Sequence, residues 1–276
     1  MTTEHLVEQI MRKQSFLCVG LDTEMEKLPQ NLKNTELPLF EFNRRIIDAT
    51  HDLVVAYKPN LAFYECLGRS GWHQLELSIH YIRQNHPEIM VIADAKRGDI
   101  ENSSRKYAET FFNHLACDAV TVSPYMGTDS VLPFLEYPGK WAVLLALTSN
   151  QGANDFQFAV TGHQERLFEV VLRKSKQWGN TDNMMYVIGG TKASFLLKVR
   201  EIVPEHFLLI PGVGTQGGDL ADIAEYGLNS QCGLIVNSSR AIIYADSTER
   251  FAEAAREKSV EVKKQMSALL RERGIV

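Results

Sequence analysis

The sequence predicts an α/β protein, a (β/α)8 barrel of the TIM type that takes residues 1–276 as a single domain. Three observations predict it. Eight short apolar runs, rich in β-branched residues, recur along the chain. Nearly all are separated by stretches with helical spacing of apolar residues, the pattern of parallel strands covered by helices. Asp22, Lys58, Asp94, Lys96, Ser149 and Arg240 all stand at the downstream ends of those runs. In a barrel those ends form one face, and active sites are built there.

The elements follow in order. Leu6, Ile10 and Met11 recur at helical spacing, which predicts a short amphipathic helix over about 4–14. Residues 16–21 form a compact apolar strand ending at Asp22, and the polar segment 23–38, with two prolines, reads as a long loop. A helix over 40–51 leads to a second strand, 53–57, that exits at Lys58-Pro59-Asn60. Proline suits a strand exit because it donates nothing to a ladder. Helices over 63–67 and 72–85 precede the third strand, 89–94. Then come a helix over 102–115, a strand over 119–122, a short helix over 130–135 and a strand over 141–147. The last third alternates a helix over 164–178, strand 185–188, helix 195–203, strand 207–210, helix 220–226 and strand 233–236. A long helix over 247–273 closes the chain, and no linker, low-complexity tract or internal repeat divides it.

Hydrophobic residues make up 45% of the chain and charged residues 23%, the balance of a water-soluble globular protein. A formal net charge of -5 gives no reason to expect nucleic acid or an anionic membrane as partner. Cys18, Cys66, Cys117 and Cys232 are scattered with no C-x-x-C pair, so reduced thiols are expected and neither a disulfide framework nor a zinc site is signalled. Residues 1–15 lack the continuous apolar core of a secretory signal, and the longest apolar run, 141–147, is too short to cross a bilayer. A cytoplasmic location is the expectation.

The chemistry is concentrated in Val91-Ile92-Ala93-Asp94-Ala95-Lys96-Arg97-Gly98-Asp99-Ile100. A buried strand here ends abruptly in charge. Residues two apart on a strand share a face, so Asp94 and Lys96 are expected to point the same way, with Asp99 in the loop beyond Gly98. Two carboxylates around one ammonium at the mouth of an apolar element are tolerable only if they pair. An isolated D-x-K-x-x-D is often no more than a solvated salt bridge. The other charged residues at strand ends are what raise this one above that reading.

A second signal follows the seventh strand: Pro211-Gly212-Val213-Gly214-Thr215-Gln216-Gly217-Gly218-Asp219. Clustered glycines expose backbone N–H groups, a helix N-terminus adds its dipole, and the planar fork of Arg240 beyond the eighth strand can clamp a phosphate. Loops seven and eight are where phosphate sites recur in this fold. The stretch is not a dinucleotide fingerprint, because no acidic residue stands where a ribose contact requires it. The histidines fall mainly in helices and loops with no H-x-x-x-H pair, and no Ser-His-Asp order is visible. Asp118 and Asp129 would bind a metal only if folding brought them together, and Tyr125 is a candidate to line the pocket.

These residues resemble those of the orotidine 5′-phosphate decarboxylase family, in its longer bacterial-type subgroup. The likeness is carried by Val19-Gly20-Leu21-Asp22, Tyr57-Lys58-Pro59-Asn60, the Asp94 to Ile100 run, Pro124-Tyr125-Met126-Gly127, Thr148-Ser149-Asn150, the 211–219 loop and Ser239-Arg240. The resemblance implies a lyase of the cytoplasm that decarboxylates orotidine 5′-monophosphate to UMP, the last step of de novo pyrimidine synthesis, with no cofactor and no metal. It implies that Lys96 protonates C6 of the pyrimidine and that Asp94 faces the departing carboxylate. Asp22 and Lys58 would hold the ribose and complete the charge network. Asp99 would act across the interface of a homodimer with shared active sites, with Ile100 and Ser103 beside it. Ser149 would contact the pyrimidine, and Gln216, Gly217 and Arg240 the phosphate.

Gln151 stands where the family often has proline, and Ser103 where threonine is usual. Both sit at binding positions, so altered loop detail is expected. Two alternatives remain open at this point. Metal-dependent sugar-phosphate decarboxylases and synthases of the same superfamily share D-x-K-x-x-D, but they resemble one another in an acidic residue at the second strand end, where this chain has Lys58. A non-catalytic nucleotide-phosphate-binding barrel would keep the phosphate loop without turnover.

Overall fold

A strand buried on both faces carries apolar side chains at every position, and that is why the eight runs show no alternation. The computed structural model describes residues 1–162, 164–212 and 218–276. The runs become β1 (Leu17–Leu21), β2 (Ala56–Pro59), β3 (Met90–Arg97), β4 (Ala119–Val122), β5 (Trp141–Leu147), β6 (Met184–Ile188), β7 (Leu208–Pro211) and β8 (Leu234–Ser238). Each pairs in parallel with the next, and β8 pairs with β1, so the sheet closes into an eight-stranded (β/α)8 barrel in sequence order. Every residue of β1, β2, β4, β6 and β8 is buried.

Helices wrap the outside. The last, Phe251–Glu272, packs on Pro38–Thr50, where the Phe251 and Phe42 rings stack with centroids 4.7 Å apart. The first helix, Thr3–Lys13, is capped by the Thr2 hydroxyl, which accepts from the His5 N–H at 3.2 Å. It runs across the upstream end of the barrel. The Trp141 indole donates to the Met1 carbonyl at its start, and Lys13 Nζ donates to the His51 and Val54 carbonyls at its end. No described helix is long and apolar enough to cross a membrane.

Local structure departs from the sequence reading in identifiable ways. The expected loop over 23–38 contains a 3-10 turn, Met25–Lys27, and a short helix, Gln30–Lys33, whose Leu32 is buried. The expected helix over 102–115 is an α-helix, Glu101–Glu109, that widens into a π-turn, Thr110–His114, closed by Leu115 N–H donating to the Thr110 carbonyl at 2.9 Å. The widening lets Phe111 and Phe112 both be buried. Short helices Ala153–Phe156 and Arg240–Ile243, each a single turn, carry too few residues for a periodic signal.

Candidate functional site

The downstream ends of β1, β2 and β3 hold the charges. Lys58 lies on β2 with its stem buried among apolar strands, and Asp94 lies on the neighbouring β3. Lys58 Nζ donates to Asp94 Oδ2 at 2.7 Å, and Lys96 Nζ donates to Asp94 Oδ1 at 2.6 Å. One carboxylate is thus held between two ammoniums. Burial alone would push the Lys58 ammonium toward neutrality, but the charges of Asp94 and Asp22 outweigh it and raise its pKa above the ordinary lysine value. Burial would likewise raise the Asp94 carboxyl, yet Lys58 and Lys96 outweigh it and hold that group below the usual carboxylate range.

Simple strand alternation does not deliver this geometry. The register jumps from Ala93 opposite Val120 to Arg97 opposite Val122, so Asp94, Ala95 and Lys96 together face Thr121. The bulge puts Lys96 at φ 47°, a left-handed conformation that costs a residue with a Cβ about 1–2 kcal/mol. It aims Asp94 and Lys96 at one point while the Ala95 side chain packs into the core. Arg97, the next charge, turns away. Its guanidinium pairs with Glu65 and lies over the Tyr107 and Phe111 rings, at 5.4 and 5.7 Å from their centroids. Charges that are neighbours in sequence are therefore divided, Asp94 and Lys96 at the barrel mouth and Arg97 against the outer helices.

Asp22, at the end of β1, joins the network electrostatically through Lys58, and its Oδ1 is buried with no hydrogen-bond partner among the described residues. Asp99, Ile100 and Ser103 follow β3 but stay apart from the ammoniums within this chain. Asp99 Oδ1 accepts from the Ile100 N–H at 2.8 Å, and its carbonyl accepts from the Ser104 hydroxyl at 2.6 Å. Ile100 is 55% exposed and Ser103 is exposed. Ser149 follows β5, its backbone pressed on Gly189 at the end of β6, where an added Cβ would meet the Ser149 nitrogen at 2.5 Å. Arg240 opens the turn after β8, exposed, with no hydrogen bond or ion pair from its guanidinium among the described residues. Gln216 and Gly217 lie outside the described residues.

Thr121 escaped the sequence reading. It is buried at the end of β4, donates to Asp94 Oδ1 at 3.1 Å and accepts from the Lys96 N–H at 2.8 Å. Its signal was available in principle, as the polar residue inside the apolar run Ala119-Val120-Thr121-Val122. Asp118 and Asp129 are not brought together. Asp118 precedes β4, at the opposite end of the barrel, where it pairs with Arg83 and accepts from the Val91 N–H at 2.8 Å. Asp129 sits in the helix Thr128–Leu135 that follows the strand. Tyr125 is 82% exposed.

Known proteins place this chain. A model of the orotidine 5′-phosphate decarboxylase / HUMPS family matches residues 15–255. A Parabacteroides distasonis protein named orotidine 5′-phosphate decarboxylase is 58% identical over 276 residues, covering 100% of this chain and 99% of its own. A Porphyromonas gingivalis protein of the same name is 55% identical over 276 residues, covering 100% of both. Among solved structures, Leishmania donovani OMP decarboxylase shares 35% identity with a TM-score of 0.81, over 97% of this chain and 99% of that one. Leishmania donovani UMP synthase shares 36% identity with a TM-score of 0.84, and this chain spans 56% of its length. Matched along the whole length of the two bacterial relatives, the chain belongs to the orotidine 5′-phosphate decarboxylase / HUMPS family.

Proposed function

We propose that the protein decarboxylates orotidine 5′-monophosphate to UMP, the last step of de novo pyrimidine synthesis, as a homodimer and with no cofactor. The observation that carries this reading is the Asp94 carboxylate held between the Lys58 and Lys96 ammoniums at the barrel mouth. Loss of carbon dioxide breaks the C6–carboxyl bond and leaves its electron pair on C6. A fixed cation beside C6 stabilises that charge, and the Lys96 ammonium then gives up a proton to form the C6–H bond. Asp94 faces the leaving carboxylate. Lys58 stays charged and holds both Asp94 and, with Asp22, the ribose. Ser149 meets the pyrimidine, while Gln216, Gly217 and Arg240 take the phosphate. Phosphate binding far from C6 supplies energy to organise the site.

The position of Asp99, bonded locally and away from Lys96 in its own chain, supports its use by a second subunit. So do the exposed apolar side chains of Leu67, Ile100, Tyr125 and Met126, which belong to the segments after β2, β3 and β4 and invite burial by another copy. Ile100 and Ser103 would accompany Asp99 into the partner's site.

The direct test follows the ultraviolet absorbance of orotidine 5′-monophosphate with purified protein, with and without excess EDTA. Substrate loss in both samples is expected. Activity only in the absence of EDTA would replace this reading with that of a metal-dependent relative. No turnover, with UMP still bound, would leave a nucleotide-phosphate-binding barrel and overturn the catalytic reading.

A further inference from the structure

Lys96 is an awkward residue to hold in place. Its backbone is left-handed and its side chain is long, so several contacts must over-determine its position. The hydroxyl of Thr121 is at the centre of those contacts. It sits opposite the bulge, where three residues of β3 face this one residue of β4. It accepts from the Lys96 N–H at 2.8 Å and donates to Asp94 Oδ1 at 3.1 Å. The same Oδ1 accepts from Lys96 Nζ at 2.6 Å. Lys96 is therefore gripped at both ends, backbone and ammonium, through two neighbouring oxygens. The hydroxyl has no other partner among the described residues, so it joins no helix or loop elsewhere.

We propose that Thr121 is a positioning residue for decarboxylation, whose hydroxyl fixes the Lys96 bulge and the Asp94 carboxylate in one geometry. This rests on the decarboxylase reading given above. Without the hydroxyl, the Lys96 N–H loses its acceptor and the bulge is free to relax toward ordinary strand. Asp94 keeps both lysines but loses the third of its donors, the one fixed to the strand on the other side of the bulge. Groups that bind ribose and phosphate are untouched. The change thus falls on the alignment of the proton donor, where misplacement by an ångström costs on the order of a hundredfold.

The experiment compares wild type, Thr121→Val and Thr121→Ser for kcat, KM and UMP affinity, with circular dichroism as the check on folding. Valine keeps the shape and removes both hydrogen bonds; serine restores them and loses only a methyl. Thr121→Val is expected to lower kcat about 10- to 100-fold with KM and UMP affinity within about threefold, and Thr121→Ser to recover kcat to within about threefold. Should Thr121→Val not fold, Thr121→Ala against Thr121→Ser isolates the hydroxyl under the same criteria. A wild-type kcat in the hydroxyl-free variant, a serine variant as slow as it, or a loss confined to KM would overturn the proposal alone. Wild type that turns nothing over would overturn it together with the reading on which it rests.

Discussion

At Asp94 three donors converge on one carboxylate: two ammoniums and a hydroxyl. Such a group is costly to leave half-satisfied. Asp94→Asn removes the charge that neutralises buried Lys58, and a broken buried pair costs about 3–5 kcal/mol. Urea denaturation should show a loss of that order, and adding Lys58→Met should recover part of it. The pH dependence has a definite sign. The folded pKa of Asp94 is depressed, so its stabilisation is present above the carboxyl's ordinary value of 3.8 and drains as pH falls below it. Asp94→Asn should flatten the acid limb of the stability curve below that value. For Lys96→Ala, turnover should all but vanish while UMP binding persists; near-normal rates would remove Lys96 as proton donor. Sequence alone exposed Asp94, Lys96 and Lys58 because charge at the end of an apolar run is conspicuous. It hid Thr121, because threonine in a strand is commonplace and only the three-to-one register makes its hydroxyl face the site.

Single elements show where periodicity carries information and where it stops. The strands were legible because each carries a mainly apolar run bounded by polar residues, and β4 and β5 coincide with the expected bounds. The bulge in β3 was not, since it depends on pairing with a distant strand. Nor was the π-turn after Glu109, which inserts one residue into an otherwise helical pattern. Just before β7, His206 presents another element-level consequence. Its ring packs against Tyr186 at 5.4 Å between centroids, and neither ring nitrogen has a partner among the described residues. Burial first, then the Arg200 and Lys176 charges, lower its pKa to about 4, while the nearby Glu205 acts on Arg200. The unfolded imidazole, with an ordinary value of 6.5, takes a proton earlier than the folded one. Stability is therefore full above 6.5 and drains, by up to about 3 kcal/mol, as pH falls from 6.5 toward 4. His206→Gln should lose this slope in denaturation curves measured across the window. An unchanged slope would assign the acid sensitivity elsewhere.

For the whole molecule, the barrel divides its tasks by pole. The upstream end is covered by the first helix and fixed by Arg83 and Asp118, whereas the downstream end carries Asp22, Lys58, Asp94 and Lys96. This polarity was legible in the order of the strands and the residues that follow them. In the proposed homodimer, Asp99 is expected to act in the site of the other subunit. Mixing inactive Asp99→Ala with inactive Lys96→Ala tests this. If two subunits share each site, hybrids contain one intact site and activity should rise toward a quarter of the wild-type level, the random-pairing value for half the molecules holding one good site. No recovery, with subunit exchange demonstrated, would confine Asp99 to its own chain.

The two lysines that flank Asp94 differ in one respect with a practical consequence. Lys58 is enclosed, its side chain 5% exposed, whereas that of Lys96 is 51% exposed. Of these two lysines, only Lys96 is therefore open to an amine-directed covalent reagent small enough to reach the barrel mouth. Acylation of the Lys96 amine, once its proton has left, should inactivate the protein, appear by peptide mass at Lys96 and not at Lys58, and be slowed at that position by bound UMP, making Lys96 a place to attach a probe or an irreversible inhibitor.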